Sequence, residues 1–366
     1  MEATLAGSVR TTPAGAAGTP WAQGLAIWRS GPGCRNLGVE EHANWEDGMT
    51  TRERRRAEQL ARLEAAEGEV FAHYGVEVTS EPLILEDPPS TTRVVRLGSG
   101  PPTVLLHGGA LASTVWAPLL AFLPGRSLLL VDLPGCGFAD PLDLGAVDLA
   151  RHQTAFVGGV LDALGLPRAS LIGASMGGWY ALRYTIEQPD RVAATALVTA
   201  PAVALPGAVM PAQMAMTSTW LGRRMASFAR PPSVRMTRRM LASIGGQGSV
   251  VGAPDALFEA LGTATALAAP SYASLDVCRW RTPHRHLQVT EAELETCPTP
   301  VLLLWGEHDK VQAPEGGAWA AGRLPRGRLE VLPGGHGLWF EHPERCGELL
   351  TGFLHTAEAQ PVEPTG

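Results

Sequence analysis

The sequence predicts an α/β fold: a mostly parallel sheet covered on both faces, with a helical cap inserted late in the chain. Three observations predict it. The apolar runs Thr103-Val104-Leu105-Leu106, Ser127 to Val131, Ser170-Leu171-Ile172, Ala194 to Val198 and Val301 to Leu304 are continuous, not alternating. Strands buried on both faces of a parallel sheet read that way. Helical segments lie between them, around Asp148 to Leu164 and Trp179 to Gln188, and such alternation implies helices on both faces. The interval 201–296 then breaks the rhythm, being too long for one crossover and carrying several helix-like pieces.

Taken in order, residues 1–48 are rich in Ala, Gly, Thr and Pro and show neither helical nor strand periodicity. They read as a disordered tail, or as an extension upstream of a natural start at Met49, which is followed by the cap-like Thr50-Thr51-Arg52-Glu53. From Thr51 to Tyr74, Leu60, Leu63, Val70, Phe71 and Tyr74 recur at helical steps, and Gly75 stands where a helix C-cap favours glycine. Strand-like stretches Val76 to Leu85 and Thr91 to Leu97 flank the breaker Asp87-Pro88-Pro89. The last unit is a strand over Arg328 to Leu332 and a helix near His342 to His355. The expected organisation is therefore a first core part over 49–200, a cap over 201–296, a second core part over 297–358 and a tail over 359–366. Six of the nine methionines (Met210, Met214, Met216, Met225, Met236 and Met240) fall in the cap interval. They suit either an adaptable apolar pocket or the cap's own core.

A formal charge of -7 excludes the basic footprint of a nucleic-acid binder. The run Arg52-Glu53-Arg54-Arg55-Arg56 reads as a solvated helix face. Five scattered cysteines without a C-x-x-C pair fit reduced thiols better than a disulfide frame or zinc site. No stretch approaches the roughly 20 apolar residues of a membrane span, and no signal-peptide core is present. A cytoplasmic protein is expected, acting on a small molecule, without nucleic acid, membrane, metal or cofactor. Its oligomeric state is not legible.

The most informative segment is Gly173-Ala174-Ser175-Met176-Gly177, which follows an apolar strand and opens a helix. A serine between glycines at a strand-to-helix turn is the G-x-S-x-G nucleophile elbow, whose sharp reversal holds the hydroxyl clear of the sheet. The nucleophile needs oxyanion donors, a base and an orienting acid at other strand ends. His107-Gly108-Gly109 follows one strand, so the N–H of Gly109 can pair with that of Met176 around an oxyanion. His107 precedes the serine and reads as structural. Trp305-Gly306-Glu307-His308-Asp309 follows the strongest late strand and offers Asp309 as the acid, with Glu307 as rival. Pro333-Gly334-Gly335-His336-Gly337 follows the last strand and offers His336 as the base. His284, His286 and His342 hold no comparable place.

These segments, with Asp132-Leu133-Pro134-Gly135-Cys136-Gly137, resemble the α/β-hydrolase superfamily from about Thr91 to His355, in its capped group of serine hydrolases and esterases. The resemblance implies the α/β-hydrolase fold and the order Ser175, Asp309, His336, with an architectural role for the Asp132 turn. Asp140 departs from it, standing where that family often has serine. A serine at the elbow argues against epoxide hydrolases and haloalkane dehalogenases, whose alkyl-enzyme esters need a carboxylate. The expected reaction is hydrolysis of a carboxylic ester or related acyl bond of a small apolar substrate through an acyl-enzyme. Trp116, Trp179, Met214, Trp220 and Trp339 are the expected pocket residues. Carbon–carbon bond hydrolysis, amide or thioester cleavage and perhydrolysis are alternatives on the same triad, and a receptor without turnover is an alternative from another class.

Overall fold

The computed structural model describes residues 50–210 and 230–359. The expectations for residues 1–49, Met214, Met216, Trp220, Met225 and residues 360–366 lie outside the described residues. The chain forms two compact units, residues 1–61 and 62–366. Of the first, the described part opens helix α1 (Thr51–His73). Thr50 Oγ1 accepts from the Glu53 N–H at 3.3 Å and the Glu53 carboxylate accepts from the Thr50 N–H at 2.7 Å, a reciprocal capping box.

At its other end α1 closes in a Schellman motif. The Val76 N–H donates to Phe71 O at 2.9 Å and the Gly75 N–H to Ala72 O at 3.1 Å, with Gly75 at φ +64°. The expected strand from Val76 therefore begins later, because Val76 is spent on this cap. Strand β1 (Thr79–Leu85) pairs antiparallel with β2 (Ser90–Leu97).

The other core elements are β3 (Pro102–Leu106), the short α2 (Ala117–Leu120), β4 (Ser127–Val131), α3 (Leu149–Ala163), β5 (Ala169–Ala174), α4 (Met176–Glu187) and β6 (Val192–Val198). After β6 come α5 (Val234–Gly245), α6 (Asp255–Tyr272), the two-residue strands β7 (Cys278–Arg279) and β8 (Thr282–Pro283), and α7 (Glu291–Glu295). The core resumes with β9 (Val301–Gly306), α8 (Pro314–Ala321), β10 (Gly327–Leu332), α9 (Leu338–Glu341) and α10 (Pro343–Ala359). Eight strands form one sheet in the order β1-β2-β4-β3-β5-β6-β9-β10, with β2 antiparallel to β1 and β4 and all later pairs parallel.

Period-two geometry explains the continuous apolar runs. Val104, Leu106, Leu129, Val131, Leu171 and Leu303 enter one apolar cluster, while Leu105, Leu128, Leu130, Ile172, Leu302 and Leu304 enter another. Both faces are packed, so the buried polar residues these strands do carry are hydrogen-bonded, Thr103 to Arg126, Ser170 to Glu358 and Thr195 to Thr185.

Beside the sheet lies a network of buried charge. Arg93 Nε sits 3.0 Å from Asp132 Oδ2, and Arg93 Nη2 donates to Glu67 Oε1 at 2.9 Å. Thr114 Oγ1 also donates to the Glu67 carboxylate. Asp132 Oδ1 accepts from the N–H and Oγ of Ser113 at 2.8 and 2.7 Å, and Oδ2 from the Phe138 N–H at 3.0 Å. Burial alone would push the Asp132 carboxyl up, but Arg93 and these donors bring it below the usual carboxylate range. Asp132 is thus architectural, tying the loops after β3 and β4 together.

Breaking a buried ion pair costs about 3–5 kcal/mol, and removing Glu67 leaves Arg93 with Asp132 as its remaining carboxylate and Thr114 Oγ1 without its acceptor. Glu67→Ala is expected to lower the free energy of unfolding by about that amount in urea titrations. A loss within ordinary surface-mutation scatter, about 0.5 kcal/mol, would show that the pair is not a tie.

Candidate active site

Ser175 sits between β5 and α4 with φ +51° and ψ -114°, in a region rarely populated by non-glycine residues. Neighbouring glycines make this turn sterically feasible. A Cβ on Gly177 would stand 2.0 Å from Leu106 O, and one on Gly173 would stand 2.5 Å from Gly177 O. The elbow is bound to the end of β3 by the Gly177 N–H, which donates to His107 O at 3.0 Å.

That contact sets the His107-Gly108-Gly109 loop beside the serine. A Cβ on Gly108 would lie 3.6 Å from Ser175 Cβ, and one on Gly109 would lie 3.4 Å from Met176 Cβ. Met176 opens α4, where the first N–H groups have no intrahelical acceptor and the helix dipole favours negative charge. His107 is fully buried. Its Nδ1 bonds Gly108 O at 2.7 Å and its Nε2 accepts from the Leu133 N–H at 2.9 Å. Burial foremost pulls its pKa below the usual value, and the Leu133 bond requires a bare Nε2, so the ring is neutral and structural.

After β9, Asp309 is buried. Its Oδ2 lies 2.8 Å from His336 Nδ1 and accepts from the Ala200 N–H at 3.2 Å, while Oδ1 accepts from the Val311 and Gln312 N–H groups at 2.8 and 3.3 Å. Burial pushes this carboxyl up, but His336 and the backbone donors outweigh it and hold the group below its ordinary 3.8. Glu307, the rival, is exposed. With Nδ1 directed at the aspartate, the imidazole keeps Nε2 for other work. The acid and base loops interlock, since a Cβ on Gly306 would lie 2.4 Å from Gly335 O.

Ser175 and His336 open onto one cavity of about 340 Å³. The core contributes Gly108, Gly109, Met176, Gly337 and Trp339, among others, and the stretch between β6 and β9 contributes Met210, Met240, Leu241, Thr265, Ala269 and Tyr272. None of the lining residues among those described is Arg, Lys, Asp or Glu. Of the expected pocket residues, Trp339 reaches this wall, and Met210 and Met240 of the methionines in the cap interval reach it too.

Two expectations are corrected. Trp116 and Trp179 do not line the cavity; both are buried in the core. Trp116 packs against Trp339 with ring centroids 5.1 Å apart, and Trp179 Nε1 donates to Leu287 O at 3.1 Å. Position near a motif did not reveal that Trp179 follows the elbow by one helical turn and faces inward. Thr265, Ala269 and Tyr272 were not singled out from the sequence. Their spacing along α6 is the only signal, and it is shared with any buried helix face.

This geometry has relatives. Residues 103–349 match the model of the alpha/beta hydrolase family, well over half of the chain, and the protein belongs to that family. It is an enzyme of the hydrolase class, and its relatives are esterases and carbon–carbon bond hydrolases. It is 26% identical over 270 residues to the 2-hydroxymuconate semialdehyde hydrolase of Pseudomonas putida, covering 72% of this chain and 90% of that one. It is 29% identical over 252 residues to the pimeloyl-[acyl-carrier protein] methyl ester esterase of Nitrosomonas europaea, covering 68% and 93%. Its fold is similar to that of the carboxylesterase CesB from Bacillus subtilis, with TM-score 0.65 and 22% identity over 81% of this chain and 98% of that one. Among the described residues no helix is long and apolar enough to cross a membrane.

The Asp309 carboxyl yields a pH prediction. A folded pKa below 3.8 means that the stability contributed by the ionised group is complete above 3.8 and is lost as pH falls through the lower folded value. The gap in unfolding free energy between the native protein and Asp309→Asn is therefore expected to shrink between pH 5 and pH 3. A gap constant across that window would contradict the depressed carboxyl.

Proposed function

We propose that this protein hydrolyses neutral carboxylic esters of small apolar acids through an acyl-enzyme. The observation that carries the reading is the shared cavity, in which Ser175 and His336 meet an otherwise uncharged and largely apolar described wall. Ser175 Oγ attacks the ester carbonyl carbon while His336 Nε2 takes its proton. Asp309 fixes the tautomer and offsets the imidazolium charge, and the N–H groups of Gly109 and Met176 receive the oxyanion. His336 then returns the proton to the departing alcohol. Water, deprotonated by the same nitrogen, releases the acid. The interval 201–296 acts as a cap that supplies the apolar wall and sets the acyl group accepted.

A second reading, carbon–carbon bond hydrolysis, is favoured by the relatives named for 2-hydroxymuconate semialdehyde and for 2-hydroxy-6-oxononadienedioate. A dienedioate carries two carboxylates, and a buried carboxylate needs a paired cation or dense hydrogen bonding. The described wall has no arginine or lysine, which supports the ester reading. The four described cysteines are free and buried, which supports a reducing compartment, and we place the protein in the cytoplasm on that ground.

The test compares p-nitrophenyl butyrate with a 2-hydroxy-6-oxodienedioate. Hydrolysis of the ester with a p-nitrophenol burst is expected, with kcat lowered about 10⁶-fold by Ser175→Ala and about 10⁴-fold by Asp309→Asn. Higher kcat/KM on the dienedioate would replace the ester reading with the second. Turnover unaffected by Ser175→Ala would remove the triad.

A further inference from the structure

Tyr272 is the last residue of α6, and it lines the cavity from the inserted stretch. Its Cε1 would lie 3.1 Å from a Cβ on Gly109. The same Cβ would lie 3.4 Å from Met176 Cβ, so the Tyr272 and Met176 side chains both pack against Gly109. The Tyr272 hydroxyl is fixed in turn, because Cys136 Sγ donates to it at 3.3 Å. Cys136 belongs to the turn that follows β4. Burial pushes its thiol up to about 12 and the phenol well above its usual value, so both partners stay neutral and the contact holds across the working pH range.

The end of α6 is riveted to that turn at further points. Ser271 Oγ accepts from the Leu142 N–H at 3.1 Å, and Ser274 Oγ from the Gly145 N–H at 3.1 Å. Gly135, at φ +73°, lies so close to Ser271 that a Cβ would stand 2.5 Å from Ser271 Cβ. The oxyanion loop itself is not relaxed, since Ala110 has φ +57°. A backbone bent in this way keeps its conformation only where surrounding groups impose it.

The geometry points to Tyr272 as a positioning residue: locked by Cys136, its ring sets the Gly108–Ala110 loop so that the Gly109 N–H meets the developing oxyanion. Seating of the inserted helix and oxyanion stabilisation are thereby one event. The inference rests on the proposed serine-hydrolase reading and adds to it a role for a residue outside the triad.

The test uses p-nitrophenyl butyrate turnover and two inhibitors of one shape. One is a trifluoromethyl ketone, whose carbonyl carbon bonds to Ser175 Oγ while the proton passes to His336 and the former carbonyl oxygen becomes an oxyanion. The other is the matching methyl ketone, which reports binding before addition. Tyr272→Ala is expected to lower kcat about 10²-fold with KM little changed, as a misplaced catalytic group does. Tyr272→Phe keeps the fold and the ring and loses one neutral hydrogen bond, so about a fivefold loss is expected, and the same for Cys136→Ala. Cys136→Ser, which keeps a donor, recovers most of the Cys136→Ala loss. The double variant Tyr272→Phe with Cys136→Ala loses no more than either single change.

Trifluoromethyl ketone affinity is expected to fall with kcat/KM, while methyl ketone affinity stays within about twofold. Equal loss of affinity for both ketones would overturn the inference, as would additive losses in the double variant, which would mean that the phenol touches substrate directly. Ser175→Ala separates the two levels. If it abolishes turnover and trifluoromethyl ketone capture while the Tyr272 variants change neither, only the positioning role fails. If Ser175→Ala changes nothing, the serine-hydrolase reading fails.

Discussion

A methyl group on Gly177 would lie 2.0 Å from the Leu106 carbonyl oxygen and 2.6 Å from that of His107. The first turn of α4 therefore rests against the backbone at the end of β3, and the rest of the site depends on that approach. The Gly177 N–H donates to His107 O across the gap, which joins the elbow to the His-Gly-Gly loop without any side chain. Ser175 is then held at φ +51° because the strand before it and the helix after it are both fixed. The same approach brings Gly109 beside Met176, which sets the two residues proposed as oxyanion donors next to each other.

Two buried aspartates stand at strand ends on this sheet, and their partners separate their roles. Asp132 is saturated by an arginine, a serine and backbone N–H groups. Every lone pair is committed to holding a loop, and His107 beside it is kept neutral by its bond from Leu133. Asp309 also accepts backbone N–H groups, yet one oxygen is given to His336, whose other side faces the cavity. The difference is one of connectivity. A carboxylate whose partners are all internal fixes architecture, and one whose partner reaches open space can pass its influence to a bound molecule.

Much of this was legible from the chain because the relevant signals are local. A glycine turn after an apolar run marks a strand end, and the elbow, the His107 loop, the Asp309 loop and the His336 loop all carry such a turn. The doubly buried strands were legible because packing on both faces leaves no alternation. Val76 was misread as strand because a Schellman closure consumes one residue after the glycine, and an apolar residue there resembles a strand start. Trp116 and Trp179 were misread for another reason. Sequence adjacency to a motif says nothing of the direction in which a helical side chain points, and both indoles are buried in the core. Tyr272 carries no signal beyond its helical spacing, because the contact proposed to matter is with a glycine 163 positions earlier in the chain.

The two walls of the cavity divide the labour along the same line. The core wall presents backbone donors, a serine and an imidazole, all held by glycine turns and close main-chain contacts that tolerate little change. The inserted wall presents Met240, Leu241, Thr265 and Ala269, side chains on helices that can vary in size without moving a strand. Thr265 adds little polarity, since its hydroxyl donates to Leu261 O within α6 at 2.8 Å. On the proposed reading, chemistry resides where the backbone is constrained, and substrate choice where only packing is. Gly109 is where the two meet, because a loop that carries a donor from the core is packed by a ring from the insertion. An exchange of the insertion that ignored this contact would alter reactivity together with selectivity, whereas one that preserved it could change the acyl pocket alone.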